Sequence, residues 1–233
     1  VVFENAADLA RMAVDETGMG VLEDKIKKNL GKSRIIWNHL KNKPSVGVIR
    51  RDAETGIVEI AKPMGVIGAV TPCTNPIVTP MCNAMFALKS RNSIIIAPHP
   101  RARKCARHLV ELFHEAIKPY RAPTDLIQVL EDSSNELTGQ LMKAVDVIIA
   151  TGGMGMVKAA YSSGRPAFGV GAGNVQCIID QGYDLQAALP KIIEGRIFDN
   201  GIICSGEQTL IVHETDYDQV KSLLAANGAF LVG

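Results

Sequence analysis

Hydrophobic positions recur with two different periods along the chain. Up to residue 40 they recur every three or four positions, which predicts amphipathic helices over residues 4–17 and 21–40. Residues 46–50 and 56–61 then predict a small hairpin. After residue 63, short apolar runs alternate with helical stretches. The apolar runs span residues 65–70, 93–97, 126–130, 145–150 and 167–170, and the helical stretches span residues 76–90, 101–118, 134–143 and 154–163.

This alternation predicts an α/β fold, in which a Rossmann-like parallel sheet is covered by helices on both faces. Ligands of such sheets bind beyond the carboxyl ends of the strands. The loops after Val70, Ala97, Ala150 and Val170 are therefore the places to look for function, and all four are rich in Gly, Pro, Asn or Thr. A further strand, helix, strand and helix are predicted over residues 175–179, 184–198, 208–213 and 216–226.

Composition narrows the class of protein. Hydrophobic residues make up 47% of the chain and charged residues 21%, as in an ordinary globular protein, and the net charge of +1 gives no reason to expect nucleic acid or a membrane as partner. No apolar run reaches the roughly 18 residues of a membrane span. Five cysteines without a CxxC pair or a His/Cys cluster argue against zinc. With no export signal at the N-terminus, we expect a cytoplasmic protein.

Cys204 is the strongest candidate for chemistry. It lies in the segment 200–208 (NGIICSGEQ), between glycine-containing turns and just before a predicted strand. A thiol on a polar, flexible loop can be reached and deprotonated, which is typical of a nucleophile. Most free cysteines are instead small buried hydrophobes, so the position alone leaves both interpretations open.

The other four cysteines are weaker candidates. Cys82 and Cys105 lie within predicted helices and Cys177 within a predicted strand, whereas Cys73 lies on the first strand-end loop. We expect Cys105 to lie on a helix away from any site, and Cys177 to be buried.

Asn75 follows the first sheet strand in the segment 71–76 (TPCTNP). An amide donor at the carboxyl end of a strand is suited to hold an oxyanion. Asparagine is also a preferred cap of a following helix, and taken alone that structural role is favoured.

Two glycine-rich loops are candidates for cofactor binding. Residues 151–155 (TGGMG) open a predicted helix, where small residues allow a phosphate or a ring to approach the backbone, although an ordinary tight turn has the same composition. They do not form the GxGxxG fingerprint. Residues 168–174 (FGVGAGN) are equally typical of a hinge. Residues 98–103 (PHPRAR) follow the second strand, which commonly meets an adenosine ribose, so Arg101 and Arg103 are either ligands of a 2′-phosphate or solvated helix-start charges.

Together these segments resemble the aldehyde dehydrogenase superfamily. They are most similar to its coenzyme A-acylating branch, which includes the aldehyde-oxidising half of bifunctional aldehyde–alcohol dehydrogenases and the acylating acetaldehyde and succinate-semialdehyde dehydrogenases. The resemblance extends from Lys25 to Glu214. The matching stretches are residues 65–72, 74–76, 89–96, 98–102, 151–153, 171–174 and the Cys204 loop.

The resemblance implies reversible oxidation of a short aldehyde to an acyl-coenzyme A. Cys204 would attack the aldehyde, the Asn75 amide and the Cys204 backbone N–H would hold the oxyanion, and coenzyme A would take the acyl group. NAD is the expected cofactor, with NADP allowed by Arg101 and Arg103, and no metal is expected. The implied cofactor-binding residues are Thr71, Pro72, Pro98, His99, Pro100, Thr151, Gly152, Gly153, Gly171 and Ala172.

The same resemblance implies two domains. Residues 1–198 would form a cofactor-binding domain with N-terminal helices, and residues 199–233 would begin a second α/β domain, the catalytic domain, with the nucleophile. Because the sequence starts at Val1 and family members continue beyond the cysteine, we expect a fragment of a longer protein that forms a homo-oligomer. We also expect Asn75, Thr151, Gly152, Gly171 and Cys204 to converge on one crevice, with the Asn75 side chain within several ångströms of the Cys204 sulfur.

One departure from the superfamily favours coenzyme A over water. Hydrolysing relatives have a Glu in the loop after the last cofactor-domain strand, whereas residues 170–174 (VGAGN) contain no carboxylate. Without a positioned base, attack by water should be slower by about 10²–10⁴-fold. A thiol needs less help because part of it is already ionised at neutral pH.

Three alternatives stay open. A hydrolytic aldehyde dehydrogenase would need a carboxylate from elsewhere, and Glu207 is the nearby candidate. A non-catalytic nucleotide-binding module would bind cofactor without turnover. A phosphate-linked reductase of the same superfamily, such as glutamyl-phosphate reductase, is disfavoured by residues 98–101 (PHPR).

Overall fold

The computed structural model of the protein describes residues 1–230 and residue 232. The helices are α1 (Ala6–Thr17), α2 (Leu22–Leu40), α3 (Val78–Lys89), α4 (Arg103–Ile117), α5 (Asn135–Ala144), α6 (Met154–Tyr161), α7 (Leu185–Ile197) and α8 (Tyr217–Ala226). The strands are β1 (Gly47–Arg51), β2 (Val58–Ala61), β3 (Val66–Thr71), β4 (Ser93–Pro98), β5 (Ile127–Val129), β6 (Val147–Thr151), β7 (Ala167–Val170), β8 (Val175–Ile179) and β9 (Glu207–Val212). Each helix and strand predicted from the sequence is present.

The chain divides into two compact units. The first contains residues 1–18 and 22–171, and the second contains residues 19–21 together with the chain from Ala172 onward. This division reflects which residues contact one another. The boundary predicted after residue 198 is of another kind, because it separates a cofactor-binding domain from a catalytic domain. That boundary stays a prediction.

A parallel sheet forms the centre of the first unit. Its strand order is β5-β4-β3-β6-β7. Ile67 and Ala69 of β3 lie in a buried cluster with residues of α3 and α4, whereas Val70 lies in a cluster with residues of α5 and α6. Alternate side chains of a strand point to opposite faces, so helices cover both faces of the sheet. The predicted Rossmann-like fold class is confirmed.

The strand order places a topological switch point between β3 and β6. From β3 the chain moves outward through β4 to β5, and it then returns to the other side of β3 to form β6 and β7. Such a switch leaves a crevice at the carboxyl edge of the sheet, where open α/β folds bind their ligands.

Helix α1 stabilises the beginning of α4. Residue Ala102, at the N-cap of α4, has no side chain that can accept a hydrogen bond. The Glu16 carboxylate takes this role, because it accepts hydrogen bonds of 2.7 Å from the backbone N–H groups of Lys104 and Cys105. A cap of this kind contributes about 1 kcal/mol to helix stability.

The second unit contains two parallel strands covered by helices. Strands β8 and β9 pair from Val175↔Glu207 to Ile179↔Val212. Ile179 lies in a buried cluster with Leu189 of α7 and Val220 of α8. Among the described residues of the whole chain, no helix is long and apolar enough to cross a membrane.

Candidate active site

The carboxyl edge of the first unit's sheet collects the predicted cofactor-binding loops. Thr71 ends β3 and pairs with Pro98, which ends β4. Thr151 ends β6 on the other side of β3 and pairs with Val170, which ends β7. The loop residues that directly follow these strand ends are Pro72, His99, Pro100, Gly152, Gly153 and Gly171.

The N-terminus of α6 is suited to a phosphate of a dinucleotide. Gly153 is its N-cap and provides no side-chain cap, and no acidic residue lies in the first turn. Among the described residues, the backbone N–H groups of Met154 and Gly155 donate to no acceptor. The space around Gly153 and Gly155 is open, since a Cβ at either would meet nothing within 4 Å. Free amides and open space at a helix N-terminus fit the pyrophosphate of NAD or NADP.

Gly171 lies against the Met154 side chain of α6. A Cβ at Gly171 would lie 2.6 Å from the Met154 sulfur of α6, so a larger residue would displace that side chain. Gly152 donates its backbone N–H to the Val170 carbonyl at 3.0 Å, which joins the loops after β6 and β7. The two glycine-rich loops predicted from the sequence therefore lie side by side.

His99 accepts a hydrogen bond in the turn after β4. Its Nδ1 accepts a hydrogen bond of 3.1 Å from the Arg101 backbone N–H, and its own backbone N–H donates to the Thr71 carbonyl. Burial, and then the positive charge of Arg101, lower the pKa of His99 below its usual value. The turn formed by Pro98, His99 and Pro100 is thus fixed in place by the end of β3.

Asn75 does not cap the following helix. The N-cap of α3 is Ile77, and no side chain caps this helix. The Asn75 side chain is half-buried and has no hydrogen-bond partner among the described residues. The capping role favoured for Asn75 by sequence alone is therefore wrong, and its amide is available to a ligand.

Cys204 is exposed in a turn that is preceded by unusual backbone. The φ angles of Asp199, Asn200 and Gly201 are +52°, +56° and +67°. Residues other than glycine rarely adopt this left-handed region, and such strain is often found at functional sites. The Asp199 carboxylate is fully buried and accepts a hydrogen bond of 2.9 Å from the Val21 backbone N–H.

Sequence reasoning missed the role of Asp199. The Asp-Asn-Gly sequence at 199–201 was a usable signal, because these residue types are the ones that tolerate left-handed turns.

The loop without a carboxylate, residues 170–174, lies against the Cys204 turn. Strands β8 and β9 are parallel neighbours, so the segments that lead into them start side by side. A Cβ at Gly173 would lie 2.5 Å from the Cys204 carbonyl oxygen. The Asn174 side-chain oxygen also accepts a hydrogen bond of 3.0 Å from the Thr209 hydroxyl of β9. Ala172, a predicted cofactor-binding residue, is exposed in this same loop.

Two further features of the turn bear on its chemistry. The Cys204 backbone N–H takes part in no hydrogen bond among the described residues, as expected for a donor reserved for an oxyanion. The Glu207 carboxylate, the candidate base of the hydrolytic alternative, lies directly against Gly195 of α7.

The other four cysteines lie outside the turn of residues 199–206, and two of them have raised pKa values. Cys82 and Cys105 lie on α3 and α4 as predicted. Burial raises the pKa of Cys82 to about 11, and burial together with Glu16 raises the pKa of Cys105 further. Cys177 lies on β8 but is only half-buried, so the prediction that it is buried is wrong. Cys73 is half-buried on the loop after β3.

The first unit thus brings the loops of Asn75, Thr151, Gly152 and Gly171 to one edge of its sheet. Cys204 belongs to the second unit, so its closeness to Asn75 stays a prediction.

A profile of the aldehyde dehydrogenase family matches residues 1–231, nearly the whole chain. The chain belongs to the aldehyde dehydrogenase family.

Similar members of the family are acylating enzymes. The chain is 55% identical over 232 residues to the succinate-semialdehyde dehydrogenase (acetylating) of Clostridium kluyveri, covering 100% of this chain and 51% of that relative. It is also similar to the crystal structure of an acetylating aldehyde dehydrogenase from Geobacillus thermoglucosidasius, with 43% identity, a TM-score of 0.92 and coverage of 100% of this chain and 52% of that one. The chain thus spans about half the length of these relatives.

A third similar structure contains bound coenzyme A. It is the propionaldehyde dehydrogenase of Rhodopseudomonas palustris with bound coenzyme A and an acylated cysteine. Identity is 33%, the TM-score is 0.84, and the match covers 99% of this chain and 52% of that one.

The cysteines of this aldehyde dehydrogenase are expected to differ in reactivity. Iodoacetamide at pH 7 should alkylate Cys204 first and Cys82 and Cys105 last, because only the thiolate reacts and a pKa of about 11 leaves roughly one Cys82 thiol in 10⁴ ionised. Mass spectrometry of peptides over a time course measures the order. The unfolded protein serves as control, since all five cysteines should then react at similar rates. Labelling of folded Cys82 as fast as Cys204 would contradict the expectation.

Replacing Gly173 by alanine should displace Cys204, the predicted nucleophile. The added Cβ meets the Cys204 carbonyl oxygen, which is backbone and must shift. A shift of about 1 Å in a reacting group costs on the order of 10²-fold in kcat. Steady-state kinetics and NAD titration measure the result, with NAD binding retained. Gly139→Ala on α5 is the matched control, because a Cβ there meets nothing within 4 Å. Full kcat in Gly173→Ala would show that the turn tolerates the Cβ.

Proposed function

We propose that this chain is part of a coenzyme A-acylating aldehyde dehydrogenase that uses NAD or NADP, with Cys204 as nucleophile. The observation that supports acylation over hydrolysis is the contact of the carboxylate-free loop at Gly173 with the Cys204 backbone. A loop in this place could present a base to a thioester on Cys204, and it offers none. The bound coenzyme A and acylated cysteine of the similar propionaldehyde dehydrogenase agree with this proposal.

The chain's own residues account for most of the proposed reaction. The Cys204 thiolate attacks the aldehyde carbon, and the carbonyl electron pair moves onto oxygen to form a thiohemiacetal. The Asn75 amide and the Cys204 backbone N–H donate to this oxyanion. When bound, the nicotinamide cofactor supplies the oxidation by accepting a hydride from the substrate carbon. The acyl group is left as a thioester on Cys204. The thiolate of coenzyme A attacks that thioester, and the Cys204 thiolate leaves.

The first unit provides the proposed cofactor site. The free amides at the start of α6 would hold the pyrophosphate, next to Thr151, Gly152 and Gly153. The turn of Pro98, His99 and Pro100 would border the adenosine ribose, and Thr71 and Pro72, at the end of the neighbouring β3, lie on the same side of the switch point. Gly171 would complete this site from the loop after β7, and Ala172, which belongs to the second unit, is proposed as a further cofactor-binding residue.

A product assay with and without coenzyme A tests the proposal. The intact enzyme receives acetaldehyde, propionaldehyde or succinate semialdehyde with NAD or NADP, and acyl-coenzyme A and carboxylic acid are quantified by mass spectrometry. We expect NADH or NADPH to form together with acyl-coenzyme A and to depend on coenzyme A. Reduced cofactor and carboxylic acid formed equally well without coenzyme A would contradict the acylating assignment.

A Glu207 variant separates the hydrolytic alternative. Glu207→Gln should leave the product ratio unchanged if the Glu207 carboxylate only packs against Gly195. A loss of carboxylic acid in this variant would identify Glu207 as the base. Cofactor binding without any turnover of the aldehyde panel would favour a non-catalytic module.

We also propose a cytoplasmic homo-oligomer for the whole protein. Five free cysteines agree with a reducing compartment. The hairpin of β1 and β2 exposes Val48, Val58 and Ile60, which would be covered by a second copy.

A further inference from the structure

The turn that contains Cys204 begins in a backbone conformation that few residue types adopt unaided. Shortly after α7 ends, Asp199, Asn200 and Gly201 take the left-handed region in succession. Consecutive non-glycine residues in this region persist only where the surrounding structure holds them. The groups that hold this left-handed triplet therefore determine how the chain enters the Cys204 turn.

The Asp199 carboxylate anchors the start of the left-handed triplet. Asp199 is fully buried, and its carboxylate accepts a hydrogen bond of 2.9 Å from the backbone N–H of Val21, 178 positions earlier in the chain. Both residues belong to the second unit. A hydrogen bond to an ionised acceptor is stronger than one between neutral groups. Because the donor is a backbone group that cannot rotate away, the bond fixes the place of Asp199.

Arg196 anchors the end of the left-handed triplet. Its guanidinium donates to the Gly201 carbonyl oxygen at 3.3 Å. A Cβ at Gly201 would lie 3.1 Å from a guanidinium nitrogen and 3.1 Å from the carbonyl oxygen of Arg196, so the end of α7 packs closely against the triplet. Within this segment, the Ile202 backbone N–H donates to the Asp199 carbonyl at 3.3 Å. The triplet is thus held at both of its ends.

The Cys204 turn follows the left-handed triplet directly. Two residues separate Gly201 from Cys204. The Gly206 backbone N–H donates to the Ile203 carbonyl at 3.2 Å and closes the turn around Cys204. So short a connection leaves no loop that could absorb a displacement. A shift of the triplet therefore moves both the Cys204 sulfur and the Cys204 backbone N–H.

We propose that Asp199, assisted by Arg196, is a positioning residue for the nucleophile. Its carboxylate holds the left-handed triplet in place, so that the thiolate and the backbone N–H of Cys204 are presented to the aldehyde together. Asp199 acts through the backbone and does not itself contact a reactant. The proposal rests on the proposed function, because it takes Cys204 as the nucleophile.

Two replacements of Asp199 separate its hydrogen bond from its backbone conformation. Asp199→Gly removes the carboxylate, whereas glycine adopts the left-handed region without steric cost. Asp199→Asn keeps an acceptor oxygen, and asparagine also tolerates this region. We expect Asp199→Gly to lower kcat by on the order of 10²-fold, as a shift of about 1 Å in a reacting group does, with KM for NAD unchanged. Asp199→Asn should recover most of kcat. Steady-state kinetics of the intact enzyme with propionaldehyde, NAD and coenzyme A measure both.

Asp184→Ala is the matched control for the loss of a carboxylate acceptor. Asp184 accepts a hydrogen bond of 3.1 Å from the Ala187 backbone N–H at the start of α7, in the same unit. Its replacement should lower the melting temperature, as loss of a helix cap does, and leave kcat unchanged. A fall in kcat as large as that of Asp199→Gly would assign the effect to lost stability and overturn the proposal. If Asp199→Gly does not fold, Arg196→Gln tests the other end of the triplet from an exposed position, and unchanged kcat there would also overturn it.

Hydrogen exchange tests the anchoring of the turn without turnover. Amides of residues 199–207 should exchange faster in Asp199→Gly than in the wild type, with wild-type rates restored in Asp199→Asn. Wild-type kcat and exchange in Asp199→Gly would overturn the proposal, as would Asp199→Asn enzyme as slow as Asp199→Gly. Faster exchange in Asp199→Gly, combined with wild-type turnover that yields carboxylic acid equally well without coenzyme A, would refute the acylating assignment and leave the role of Asp199 standing.

Discussion

Replacing Cys204 by alanine is expected to reduce aldehyde oxidation by about 10⁴–10⁶-fold, as loss of a covalent nucleophile does in other enzymes. The thiol is exposed and forms no hydrogen bond among the described residues, so the melting temperature and NAD affinity should stay the same. Stopped-flow formation of NADH measures the first turnover. The acylated Cys204 peptide, detected by mass spectrometry after quenching, should be present in the wild type only.

Cys177→Ala is the matched control for this variant. Cys177 lies on β8 of the same unit and is half-buried, so its replacement tests for a general effect of losing a thiol there. It should retain activity. The mechanism would be refuted by Cys204→Ala enzyme that keeps the wild-type rate, or by Cys177→Ala enzyme that loses as much as Cys204→Ala.

Replacing Asn75 by alanine should lower kcat by about 10²–10³-fold with little change in KM, because a donor to the oxyanion acts mainly in the transition state. Its amide has no partner among the described residues and does not cap α3, so the free energy of unfolding should change little. Steady-state kinetics and thermal unfolding measure the two effects separately.

Two further variants distinguish donation by Asn75 from packing. Asn75→Asp keeps the size of the side chain but replaces the donor with an acceptor, so it should be as slow as Asn75→Ala. Asn38→Ala, at an exposed position of α2, is the control for loss of an asparagine. If Asn75→Asp is as fast as the wild type, Asn75 does not donate to the oxyanion.

The sheet of the first unit was predictable because its central strands β3 and β4 are largely buried on both faces. β3 and β4 read as continuous apolar runs, and the helices between strands have their own period, so the fold class follows from local pattern, whereas the strand order does not. The same reasoning failed for Cys177. Strand β8 belongs to a two-stranded sheet, and its residues alternate between half-buried and exposed up to Ile179. Cys177 lies on the more buried side of β8, which is only partly covered at that position, and the sequence alone does not reveal this.

From the sequence, the candidate site could be predicted only for the loops that directly follow the strands of the sheet. The carboxyl ends of parallel strands meet at one edge, so the loops at Thr71, Pro98 and Thr151 could be grouped without coordinates. The contact of Gly173 with Cys204 and the hydrogen bond from Val21 to Asp199 could not, because no local period encodes pairs so far apart. Asn75 was assigned to a cap because its residue type favours one, whereas α3 begins three residues later at Val78.

Cutting the chain after Gly171 would separate two residues that are hydrogen-bonded within the second unit. The chain crosses from one unit to the other after residue 18, again after residue 21, and again after residue 171. A polypeptide ending at Gly171 would retain Val21 without its carboxylate acceptor. The complementary polypeptide would retain Asp199 without this amide donor, and a hydrogen bond to a charged group contributes about 1.5–3 kcal/mol to stability. Neither half is therefore an autonomous module that can be exchanged by a single recombination at that point.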